Sequence, residues 1–147
     1  VSHHEYFVSA RNASIAFHRP TVPPHQLRVA LLSSGGVYVE GDTPFDLIAH
    51  SGDDTMRWIP ASVDTRQLRF AHDHYDHTDA DRDPNCVFPI DRLRELAAAQ
   101  FIAAVAPRHA GMMGFIPNPE RFVRQTVPAI VAGLVSDRVD AAVLSPG

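Results

Sequence analysis

Four short runs rich in apolar residues limit what this chain can fold into. Residues 27–32 (LRVALL), 68–71, 102–106 and 139–144 each give way at once to a polar or glycine-rich break. Runs of this length are too short for helices and fit strands buried on both faces. From residue 89 onward, helical periodicity lies between them. Ile90, Leu93, Leu96, Ala97 and Phe101 recur at three- and four-residue steps, with Asp91, Arg92, Arg94 and Glu95 on the other side. Asn118-Pro119-Glu120 supplies an N-cap, a proline at the first helical position and a first-turn acid. It opens a second helix whose apolar side is Val123, Val127, Ile130, Val131 and Leu134, and Pro128 should bend it. Residues 37–39 read as extended chain, and 40–64 as loop with short strands near 45–49 and 56–59. The alternation predicts an α/β fold, a Rossmann-like layered fold with a mainly parallel sheet.

The 147 residues, 45% of them hydrophobic, suffice for one core, so residues 27–147 are expected to form a single α/β domain. Residues 1–26, which end in Arg19-Pro20-Thr21-Val22-Pro23-Pro24, read as an extended N-terminal arm. A net charge of −4 leaves no broad cationic face for nucleic acid. No apolar run approaches the length of about 20 residues that spans a bilayer, and the chain is expected to be cytoplasmic, without a membrane partner. All 13 basic residues are Arg. The absence of Lys removes Schiff-base chemistry, a lysine base and the phosphate loop GxxxxGK[ST]. The one cysteine, Cys86, forms no internal disulfide and is expected to be inert and mostly buried. No nucleotide cofactor is predicted.

Parallel sheets bind ligands at the carboxyl ends of their strands. Those ends here are Ser33-Ser34-Gly35-Gly36, residues 72–77, Arg108-His109-Ala110-Gly111 and Ser145-Pro146-Gly147. Ser33, Ser34, Gly35 and Gly36 could turn backbone N–H groups toward an anion, or simply form a tight turn. His109 suits either a substrate contact or a hydrogen bond to backbone. Residues 72–83 hold three of the nine His and five of the 17 acids. Within them His72, His74, Asp76 and His77 spell HxHxDH, a donor set suited to a divalent metal, zinc or iron. The glycines and later ligands of metallo-β-lactamase-like hydrolases are missing. A metal site on another fold and a solvated acidic loop, with Asp side chains capping turns and pairing with Arg82 and Arg92, both remain open.

The run from Asp79 through Asp81-Arg82-Asp83-Pro84-Asn85-Cys86-Val87-Phe88-Pro89-Ile90-Asp91-Arg92 to Leu96, with His74-Tyr75-Asp76 before it, resembles the selenoprotein B components of glycine/sarcosine/betaine and D-proline reductases. Three other blocks agree in order: residues 29–37 with the first strand and glycine turn, Val105-Ala106-Pro107-Arg108-His109 with Met113-Gly114, and residues 139–144 with the strand before the redox centre. The resemblance covers about residues 27–147. It implies a reductive component in which a selenocysteine, or a cysteine in its place, attacks a small amino acid or amine held by a pyruvoyl-type partner subunit and a C–N bond breaks. It also implies that this residue follows a segment similar to Leu144-Ser145-Pro146-Gly147, beyond Gly147, and that Cys86 is not it. In the proline-type members of the family the positions corresponding to His74 and His77 are not His, so the resemblance implies that HxHxDH is not needed for that chemistry.

Three functions follow. The first is a selenoprotein-B-like reductase component, covering the first half of the family's usual chain and lacking the redox Cys or Sec. The second is a metal-dependent hydrolase or lyase using HxHxDH. The third is a non-catalytic scaffold domain. A half-length domain should leave apolar surface uncovered beside its last strand, so an oligomer is expected, as an intertwined dimer or with a second polypeptide or C-terminal half carrying Cys or Sec.

Overall fold

The computed structural model describes residues 18–48, 50, 52–71 and 76–146. Strand β1 (Arg28–Ser33) lies at its centre, with Val29, Ala30, Leu31 and Ser33 all buried. β7 (Ala141–Ser145) pairs in parallel along one edge of β1, from Val29↔Ala141 to Ser33↔Ser145. The other edge takes two pieces in succession: β5 (Ala104–Val105), then β6 (Arg108–Met112), both parallel to β1.

Between those pieces the ladder is broken. Val29 faces Val105 and Leu32 faces Ala110, so three residue steps on β1 match five on its partner. Pro107 cannot donate to a ladder, and its carbonyl accepts from Ala61 N–H at 2.9 Å instead. Leu31 N–H, deprived of a main-chain partner, donates to Nδ1 of His109 at 2.9 Å.

The sheet is mixed, which corrects the expected mainly parallel, Rossmann-like arrangement. β3 (Met56–Pro60) runs antiparallel to β6 at the far edge, and β2 (Val37–Val39) pairs antiparallel with β4 (Leu68–Phe70) in a separate two-stranded sheet. A parallel neighbour needs a crossover, usually a helix. The described residues between β2 and β3 form none, and the chain returns along the edge with Pro60 as its last strand residue. The expected strand near 45–49 is also absent at its described positions. Phe45 is buried in a loop instead, under the Arg57 guanidinium at 4.4 Å from its ring centroid.

Helix α1 (Thr78–Arg82) occupies part of the acidic stretch, and α2 (Ile90–Ala98) buries Ile90 and Leu93 of its expected apolar side but leaves Leu96, and Phe101 beyond its end, exposed. Both join Val29, Leu31, Ile59 and Phe88 in the main core. The later helical stretch starts at Glu120, passes through a π-type turn (Phe122–Thr126) and continues as α3 (Val127–Ser136). Pro128 lies in the first turn after the π segment, where its missing N–H matches a widened hydrogen-bond register. α3 connects β6 to β7 across β1, a βαβ crossover.

Residues 108–111, expected to be a polar strand end, are strand. Their polarity is absorbed locally: Arg108 stacks on Trp58 at 4.5 Å and pairs with Asp137 at 2.7 Å, and His109 receives Leu31 N–H. Residues 18–26 include one short turn, Pro24–Gln26, ahead of β1.

Candidate functional site

The carboxyl ends of β1, β6 and β7 converge on a cleft of about 250 Å³ lined by Leu32, Ser34, Met112, Leu144, Ser145 and Pro146. Alternation explains the lining. On β1 the side chains of Val29 and Leu31 enter the main core, so Leu32 belongs to the opposite face, where Leu144 pairs with it in register. The cleft is mostly apolar, and Ser34 and Ser145 carry its polar side chains.

The turn Ser33-Ser34-Gly35-Gly36 forms the rim. Gly36 has φ of +67°, and a Cβ there would lie 2.4 Å from Ala71 O. Only glycine turns the chain here without strain. The backbone donors of the turn are engaged: Ser34 N–H on Ser145 O at 3.0 Å, Gly35 N–H on Ser33 Oγ at 3.2 Å and Gly36 N–H on Met112 O at 2.9 Å. Ser33 Oγ also donates to Val87 O at 3.4 Å. The turn is thus sewn to β6, β7 and the segment before α2. Of its four residues, Ser34 lines the cleft and Ser33 is fully buried.

His109 is fully buried, edge-on to Phe88. Burial, and then the charge of Arg94, pushes its pKa down to about 4. The ring is therefore neutral at pH 7, with Nδ1 accepting from Leu31 and the proton on Nε2, which finds no hydrogen-bond partner among the described residues.

Of the HxHxDH residues, His72 and His74 lie outside the described residues. Asp76 Oδ1 accepts from Thr78 N–H and Oγ1 at 3.0 and 2.6 Å, which holds its carboxyl below the usual carboxylate range. His77 Nδ1 meets Asp81 at 2.9 Å. Among the described residues no group of three or more His, Cys, Asp or Glu is gathered as a metal would require. The segment that follows is tied by Asn85, which donates to Asp83 and Asp91 at 2.9 and 3.0 Å and accepts from Asp91 N–H at 3.0 Å. Arg94 continues the network to Asp91, Ala61 O and Val63 O. Cys86, in the short turn Pro84–Cys86, is exposed rather than buried, because the Asp83 cap and the buried Val87 and Phe88 orient this turn outward.

Leu32, Met112 and Leu144 escape a reading by residue type because they look like core. Their position after alternating strands is the signal that could have found them. A second cleft, of about 400 Å³, lies elsewhere between Asp46, Asp53, Asp54, Thr55, Asn118 and Arg121, with Arg121 paired to Asp54.

The family model for glycine/sarcosine/betaine reductase selenoprotein B matches residues 5–146. D-proline reductase subunit gamma of Acetoanaerobium sticklandii is 37% identical over 121 residues, which is 82% of this chain and 49% of that protein. The chain thus spans about half the length of this curated relative. No solved structure matches. No helix among the described residues is long and apolar enough to cross a membrane. A match along nearly the whole chain means that the chain belongs to the glycine/sarcosine/betaine reductase selenoprotein B family.

Proposed function

We propose that this chain builds one wall of the reducing site of a selenoprotein-B-type amino-acid reductase, the thiol or selenol being supplied by residues beyond β7. The observation that carries this reading is the cleft at the ends of β1, β6 and β7. Ser145 and Pro146 form part of its lining, immediately before the position where the family resemblance puts the redox residue. An apolar cleft there excludes water from a nucleophilic sulfur or selenium and strengthens local electrostatics. Ser34 offers a hydroxyl to the substrate, while Ser33, Gly35, Gly36 and His109 keep the rim and strand in shape. The reaction class is two-electron reductive cleavage: the chalcogenolate displaces nitrogen from carbon and the nitrogen leaves with a proton; a dithiol donor then attacks the chalcogen, carbon leaves with a proton, and the donor closes to a disulfide as the chalcogenolate is freed. The substrate is a small amino acid or amine, held by a pyruvoyl-bearing partner subunit.

A chimera tests this, with the present chain replacing the matched portion of the A. sticklandii gamma subunit and the remainder of that enzyme supplied. Dithiothreitol-dependent cleavage of D-proline, glycine, sarcosine or betaine is expected. Ser34→Leu, which fills the cleft, should lower kcat/KM at least tenfold with an unchanged melting temperature. An assembled chimera that cleaves none of the four substrates would refute the reading.

A further inference from the structure

Two elements of this fold sit in surroundings that contradict their own sequence. β7 carries four apolar residues in succession, Ala141 to Leu144, the pattern of a strand covered on both faces. It is nevertheless exposed at Ala142, Val143 and Leu144, with Leu144 74% accessible, and it pairs only with β1 among the described residues. α3 (VPAIVAGLVS) has no charged residue, the composition of a helix buried all round. Only Ile130 and Gly133 are buried, while Val131 and Val135 are 52% and 71% accessible. Open parallel edges and uncharged helices are both covered in folds of this type.

We infer that the outer edge of β7 and the outward side of α3 together form a docking surface for a strand and its crossover helix, drawn from the part of the selenoprotein B architecture that this chain does not match. The choice of occupant rests on length and topology. The A. sticklandii relative carries the block matched by this chain within a protein about twice the length of that block, so the family has further chain to set against it. Because parallel crossovers are right-handed, a strand added beyond β7 in the direction already taken from β6 to β7 brings its helix to the face that α3 occupies. One strand-and-helix unit therefore covers both anomalous surfaces. A second copy meeting β7 about a two-fold axis would pair the two strands antiparallel, whereas the strand-and-helix unit continues the parallel order of β6, β1 and β7. The new strand would extend the sheet at the cleft lined by Leu144, and in this respect the inference deepens the reductase reading.

The probe is the unmatched half of the A. sticklandii gamma subunit, joined after residue 147 through a Gly/Ser linker of about 20 residues and studied by amide hydrogen exchange. The amides of residues 142 and 144, which face away from β1 because Ser145 faces it through the Ser34 N–H bond, should exchange at least 100-fold more slowly than in the unjoined chain. Val143→Arg with Leu144→Arg should abolish that slowing while shifting the melting temperature of the unjoined chain by no more than about 2 °C, since both side chains are exposed. Three results would overturn the inference: the same slow exchange in the unjoined chain at the mass of a dimer, a joined segment that folds while residues 142 and 144 still exchange fast, or a joined segment that stays unprotected throughout. Slow exchange without reductase activity in the chimera would sink the functional reading and leave this one standing.

Discussion

His109 accepts the Leu31 N–H through a nitrogen that must stay unprotonated to do so, and this makes its environment a source of acid sensitivity. In the unfolded chain an imidazole binds its proton near pH 6.5; in the folded protein it resists until about 4. Between those values the unfolded state holds more protons, so stability falls as pH drops from about 6.5 and levels off below about 4. The loss amounts to roughly 3 kcal/mol. Urea denaturation midpoints measured from pH 7.5 to 4 should show it. His109→Phe should flatten that limb and cost about 1–3 kcal/mol at pH 7 by stranding the Leu31 donor. Gly111 faces a harder limit. A Cβ there would lie 1.9 Å from Val37 O, a backbone atom, so Gly111→Ala should destabilise by about 3 kcal/mol or more, read as a drop in melting temperature.

At the scale of elements, the most recognisable stretch of the sequence proves to be architectural. Asn85 joins the end of the acidic segment to the start of α2, and Arg94 carries the connection to the main-chain carbonyls of Ala61 and Val63. Arg94→Lys keeps the charge but cannot reproduce a planar fork reaching three acceptors. It should cost about 1–3 kcal/mol in chemical denaturation, with Asn85→Ala in the same range. β1, β7 and the first turns of α2 were legible from their apolar spacing and the onset of the later helix from Asn118-Pro119-Glu120, whereas Leu96, Phe101, Val123 and Val131 of the expected apolar sides are exposed. β6 was not legible, since Arg108 and His109 look like loop residues until Asp137, Trp58 and the Leu31 N–H are seen to satisfy them. The antiparallel placement of β3 was equally hidden, because strand direction depends on a missing crossover rather than on composition. Of the expected site residues, Ser34 lines the cleft, whereas Ser33 and His109 are sealed inside.

On the scale of the whole molecule, the uncovered surfaces should govern how the chain behaves in isolation. Val135→Glu with Leu144→Glu should lower binding of an apolar dye and reduce self-association in light scattering, with melting unchanged to within about 2 °C, because neither residue is buried. An equal dye signal in the double variant would mean that the adhesive surface lies elsewhere. The stitching of the Ser33–Gly36 turn to three neighbouring parts of the fold has a mechanical result. With its amides committed, the lip of the hollow is a fixed half-mould, and on the proposed function the shape of the piece set opposite it would decide what fits.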